Sequence, residues 1–160
     1  MRFGHRVTYD ASPDEVYAML ADPAFRERVC TAMHATEYEV SVETDEAGMS
    51  VVVDQVQPAH GIPSFATKFV GDHIQIVQSE TWSSPHHATL EVEIPGKPGH
   101  LKGEVTLKQD GAGSVETVTG EVKVHIPLLG GKLEKLIGDL LGAALDTEQR
   151  VGRAWLAGDR

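Results

Sequence analysis

A chain of 160 residues, 41% hydrophobic and 24% charged, fits one globular domain able to bury a core without staples. A formal charge of −10 with no run of Lys or Arg argues against nucleic acid or anionic lipid as partner, since both are held mainly by basic side chains. The single cysteine, Cys30, excludes an internal disulfide and a thiolate metal cluster, and no stretch of about 18 apolar residues offers a membrane span.

The opening Met-Arg-Phe-Gly-His-Arg lacks the apolar centre of a secretory signal, so a cytoplasmic location is the expectation. Arg2 to Tyr9 alternates, with Phe3, His5, Val7 and Tyr9 on one side, and predicts a half-buried strand. Ser12-Pro13-Asp14-Glu15 follows as a capping box, with Pro at the first helical position and acids in the first turn. Val16, Met19 and Leu20 are the apolar side of that short helix. Asp22-Pro23 starts a second helix in the same way. Its stripe is Phe25, Val29, Ala32 and Met33, with Arg26, Glu27 and Arg28 expected mostly outside. Cys30 lies within it and reads as a small packed residue, because nothing nearby in sequence would lower its pKa.

From Thr36 the period switches to two. Tyr38, Val40 and Val42 alternate with polar residues up to a turn at Asp45-Glu46-Ala47-Gly48. Ser50 to Gln57 returns as a strand whose buried face is either Val51, Val53 and Gln55 or Val52, Asp54 and Val56. Ser64 to Val70 reads as a short helix or edge strand, the Phe65–Phe69 spacing favouring the helix. Further strands follow at His73–Trp82, at 88–94 and at 101–108. The longest runs from Val115 to Ile126, with Val118, Gly120, Val122, Val124 and Ile126 facing in.

The last segment, Ile126 to Leu156, carries Leu129, Leu133, Leu136, Ile137, Leu140, Ala144, Val151 and Trp155 at helical spacing. This long amphipathic helix needs a large apolar partner, and an antiparallel meander with one aliphatic face supplies it. Gly131, Gly138 and Gly142 project roughly opposite the Leu133–Ile137–Leu140 face, so they are expected to admit a close neighbour or to loosen the helix for ligand entry. No linker or repeat divides the chain, and residues 1–160 are expected to form a single domain.

This order of elements, with Ala11-Ser12-Pro13-Asp14-Glu15-Val16-Tyr17 leading to Leu20-Ala21-Asp22-Pro23, resembles the START-like (SRPBCC) superfamily of polyketide cyclases, lipid-transfer domains and pollen-allergen-like proteins. Within it, the Trp82 strand, the Ile126-Pro127 junction and the Trp155 ending look like an uncharacterised bacterial subfamily. The resemblance implies an α+β helix-grip fold: a curved antiparallel sheet of about seven strands wrapped on a long C-terminal helix, with two short helices after the first strand. It also implies an apolar-ligand cavity between sheet and helix. Members of the superfamily bind, carry, cyclise or regulate, and fold alone does not choose among these.

The chemistry-bearing signals are sparse. His86 and His87 are adjacent and point to opposite faces of a strand, and no metal-ligand spacing, nucleophile elbow or nucleotide-binding glycine motif is present. No metal and no cofactor are therefore expected. The informative signals are polar groups that alternation turns inward: His5, Gln78, Glu80 and, on one reading of its strand, Gln55. His5 and Glu80 are the catalytic candidates, an acid–base pair if they converge. The candidate cavity lining is His5, Val53, Gln55, Phe65, Phe69, Ile76, Gln78, Glu80, Trp82, Leu90, Val105, Val118, Val122, Leu133, Ile137 and Leu140. The leading function is binding or carrying a small apolar molecule such as a lipid, isoprenoid or polyketide. The alternatives are a cyclase- or dehydratase-type enzyme and a protein-interaction module with a filled cavity. Oligomeric state is left open.

Overall fold

Tight turns join most successive strands, and the pairing that results is a meander. In the computed structural model, which describes residues Met1–Arg160, the strands are β1 (Arg2–Tyr9), β2 (Glu37–Asp45), β3 (Gly48–Pro58), β4 (His73–Ser84), β5 (His87–Glu93), β6 (Gly99–Asp110) and β7 (Gly113–Val124). They form one antiparallel sheet in the order β1-β7-β6-β5-β4-β3-β2. Helices α1 (Pro13–Leu20) and α2 (Pro23–Ala32) follow β1, α3 (Ser64–Val70) lies between β3 and β4, and α4 (Gly130–Leu156) ends the fold. This is the α+β helix-grip arrangement, with the curved sheet on one side of α4.

The helix starts are built as their sequences dictate. The Glu15 backbone N–H donates to Ser12 Oγ at 3.2 Å while the Ser12 N–H donates to Glu15 Oε1 at 3.3 Å. Asp22 Oδ1 accepts from the Ala24 N–H at 2.9 Å, and Pro23 occupies the first helical position.

The open question in β3 resolves in favour of Val51, Val53 and Gln55, all buried, with Val52 exposed. Together with Leu90 and Val92 of β5, Leu101, Val105 and Leu107 of β6 and Val118 and Val122 of β7 they form the aliphatic face. The helices α1, α2 and the C-terminal half of α4 cover it with Val16, Leu20, Phe25, Val29, Val151 and Trp155. A smaller cluster of Ala66, Val124 and Leu133 ties α3 to the start of α4. Gly103 and Gly120 stand directly opposite each other on β6 and β7. A Cβ on Gly103 would overlap the Thr119 carbonyl oxygen, so the close approach of these strands requires glycine.

Three expectations are corrected by packing. Arg26 is buried, not outside, because it finds a carboxylate partner across the core. The buried stripe of α4 is turned from the one centred on the leucines, with Leu140 exposed and Gly138 buried. The cause is β1, which packs along the helix: a Cβ on Gly138 would meet the Met1 methyl at 2.5 Å, and one on Gly152 would meet the Tyr9 ring at 2.6 Å. Gly138 therefore faces a strand, and does not lie opposite the buried face. At Gly142 an added Cβ finds only ordinary contact with the His5 ring, at 3.6 Å. Gly142→Ala is accordingly expected to stabilise the protein by roughly 0.5–1 kcal/mol through helix propensity, read as a raised midpoint in urea unfolding.

Candidate functional site

Between α2, the concave face of the sheet and the middle of α4 lies a cavity of about 60 Å³. Most of its wall is apolar: Phe3, Val29, Met33, Leu90, Val92, Leu101, Val105, Val118, Leu141 and Leu145 among others. Its polar wall is unusual for a core, comprising Arg26 from α2, Gln55 from β3, Gln78 and Glu80 from β4, Glu116 from β7 and Glu148 from α4.

The Arg26–Glu80 pair is fully ligated. Arg26 donates from its two terminal nitrogens to Glu80 Oε2 at 2.8 Å and Oε1 at 3.0 Å, and from Nε to the Leu20 carbonyl at 2.8 Å. Glu80 also accepts from the Trp82 indole N–H at 2.8 Å and the Gln78 amide at 2.6 Å. Both side chains of the pair are nearly sealed from solvent. Burial pushes the Glu80 carboxyl upward, but Arg26 and these hydrogen bonds outweigh it and hold the group below its ordinary value. Burial likewise opposes the Arg26 charge, and the surrounding carboxylates, Glu80 foremost, more than restore it. This pair is an ionised, satisfied structural unit.

Glu116 and Glu148 are in a different state. Arg26 directs its hydrogen bonds to Leu20 and Glu80, and neither of these acids receives one. Glu116 is 4% exposed and its Oε2 has no hydrogen-bond partner. Burial, then the Glu148 and Glu80 charges, raise its carboxyl well above the ordinary value despite Arg26. Burial pushes Glu148 up to about 7, with Arg26 pulling it down and Glu80 pushing it up. The nearby Tyr9 hydroxyl is also buried and unpartnered, and burial with the Glu148 and Glu116 charges keeps it protonated. Cys30, on the same wall, is pushed up to about 11 chiefly by burial, so its thiol stays neutral.

Of the residues expected to line a cavity, Val53, Gln55, Gln78, Glu80, Leu90, Val105 and Val118 stand on its wall. Trp82 and Val122 are deeper in the core, and Ile76 packs at its margin. Phe65, Phe69, Leu133 and Ile137 gather in or around the α3 cluster, and Leu140 points to solvent. His5 and Glu80 do not converge. His5 Nε2 pairs with Asp146 Oδ1 at 2.8 Å on a half-exposed part of α4, while Glu80 is bound to Arg26. Sequence reasoning missed Arg26, Glu116 and Glu148. Glu116 has the same strand parity as Val118 and was detectable two residues before it. Glu148 shares the turned face of α4 with Leu141, Leu145 and Gly152. No group of three or more His, Cys, Asp or Glu side chains is placed to hold a metal ion.

The family model described as "Protein of unknown function (DUF2505)" matches residues 4–156. The chain belongs to that family. Among its relatives is the uncharacterized protein Rv0481c of Mycobacterium tuberculosis, 28% identical over 171 residues that cover 96% of this chain and 95% of that protein. Solved structures confirm a START-like fold for this DUF2505 member. A START superfamily protein from Mycobacterium smegmatis superposes with a TM-score of 0.61 at 13% identity, covering 94% of this chain and 96% of that one. The di-domain ARO/CYC StfQ of the steffimycin biosynthetic pathway matches with a TM-score of 0.67 at 13% identity, over 96% of this chain and 49% of that one. At such identities these likenesses establish the fold alone. No helix is long and apolar enough to cross a membrane.

Proposed function

We propose that the protein binds a small amphiphilic molecule, its apolar part against the aliphatic wall and its polar end against the buried carboxyls. The observation that carries this is an unpartnered Glu116 oxygen, sealed from solvent, on the wall of a cavity. Leaving such a group unpaired costs about 1–3 kcal/mol, a cost a ligand would remove. The volume limits the guest. Some 60 Å³ is far below the ~300–1,000 Å³ of drug-sized pockets. A lipid, isoprenoid or polyketide would enter only if α2 or α4 moved, so the ligand is proposed to be smaller than those cargoes.

A second reading, an acid–base enzyme, is favoured by Glu148 being poised at about 7, where a carboxyl can both give and take a proton. Its acid–base groups would be Glu148 and Glu116, not His5.

Native mass spectrometry of freshly purified protein, followed by organic extraction, tests the binding reading. A co-purifying small amphiphile is expected. Protein that stays unliganded, with no thermal shift across a panel of small amines, alcohols, ketones and acids, would remove it.

A further inference from the structure

The charges on the cavity wall do not balance. Arg26 is consumed by Glu80 through two hydrogen bonds. Two further carboxyls, Glu116 on β7 and Glu148 on α4, share the wall with no second basic side chain. The other ionisable groups around them are Tyr9 on β1 and Cys30 on α2, both held neutral, and Arg153, which is spent on Thr8 at the surface. Glu116 Oε2 has no hydrogen-bond partner, and the residue is 4% exposed. Burial holds protons on both carboxyls because, once ionised, they would have neither a second positive charge nor N–H donors to meet them.

We propose that the cavity takes the primary ammonium end of a small amine, with Glu116 and Glu148 as its carboxylate partners and Val29, Val118, Leu141 and Leu145 around its alkyl part; this rests on the reading of the cavity as a ligand site. A primary ammonium brings both missing items, a charge and three donors. An alcohol brings one donor and no charge. A quaternary ammonium brings a charge and no donor. A carboxylate would bring an anion into a site where burial already keeps two carboxyls from ionising. The small volume, about 60 Å³, admits the ammonium and a short alkyl part, which follows the apolar wall towards half-buried Phe3, Met33 and Leu141.

Binding a cation between them displaces protons from Glu148 and Glu116, so affinity must rise with pH while either carboxyl is still protonated. The test is an amide-NMR titration of the whole protein with n-propylammonium, 1-propanol, propionate and tetramethylammonium. The amine stays charged to about pH 9, since alkylammonium groups ionise near 10. Propylammonium is expected to shift amides around Glu116–Val118 and Ala144–Glu148. Its Kd should fall by up to about tenfold per unit between about pH 5.5 and 7, and go on falling above 7 as Glu116 also gives up its proton. Propanol and tetramethylammonium should bind at least about tenfold more weakly at neutral pH, propanol without that slope. Glu148→Gln should remove the part of the slope below pH 7 and weaken propylammonium about tenfold or more. Propanol or propionate binding as tightly as propylammonium at every pH would overturn the amine assignment while leaving a ligand site. A flat pH profile on the unsubstituted protein would overturn it too, without reliance on any variant's folding. Absence of shifts at the cavity with all four probes would sink the ligand-site reading along with it.

Discussion

Arg26→Met is expected to cost about 3–5 kcal/mol of folding stability, measured by urea unfolding near neutral pH. The side chain of Glu80 is 5% exposed, and its charge is sustained by Arg26 together with the Trp82 and Gln78 donors. Without the guanidinium an ionised carboxylate would be left in the core, and the Leu20 carbonyl would lose its donor. The reverse change, Glu80→Gln, should cost less, because Glu148 and Glu116 lie close enough to support the Arg26 charge. Replacing both partners, Arg26→Met with Glu80→Leu, should recover part of the loss, since no buried charge is left behind although the Leu20 carbonyl and the Trp82 and Gln78 donors lose their partners. A cost below about 1 kcal/mol for Arg26→Met would show that the pair does not anchor α2 to β4.

The second large effect is a fall in stability as pH rises. Glu148 is held near 7 in the folded protein against an ordinary 4.5, so the folded state binds its proton more tightly than the unfolded chain does. The stabilising contribution is fully present below about 4.5 and is lost as pH climbs through 7, a loss on the order of 3 kcal/mol at 1.36 kcal/mol per unit. Glu116, raised in the same direction, should carry the decline further. Glu80 acts oppositely, its contribution vanishing on the acid side as it is protonated. Maximum stability is therefore expected in mildly acid solution. Glu148→Gln should flatten much of the decline, and unfolding curves that are level between about pH 5 and 8 would contradict it.

The contrast between what was and was not legible in the sequence follows the range of the forces involved. Capping at Ser12 and Asp22, strand alternation and hairpin turns are local, and they led to the right elements in the right order. The inward placement of Gln78 and Glu80 also followed from strand parity. Arg26 did not, because its burial depends on a carboxylate 54 residues away in the chain, and an arginine on a short helix otherwise belongs in water. The face of α4 was misjudged because leucines at 136 and 140 drew the stripe towards themselves. The packing of β1, with Gly138 and Gly152 admitting Met1 and Tyr9, turns it towards Glu148. His5 shares a strand face with Val7 and Tyr9, yet lies where β1 meets a half-exposed part of α4 and pairs there with Asp146. Parity assigns a side; it does not say whether that side is still covered at the position concerned.

The most direct measurement on the cavity's chemistry is a carbon-13 titration of the glutamate side-chain carboxyls in the unsubstituted protein. Glu148 is expected to titrate with a midpoint near 7, while Glu80 stays ionised to below 4.5. A Glu148 midpoint near 4.5, the ordinary value, would mean that its carboxyl is solvated or paired. The cavity would then hold no surplus carboxyl for a ligand to meet.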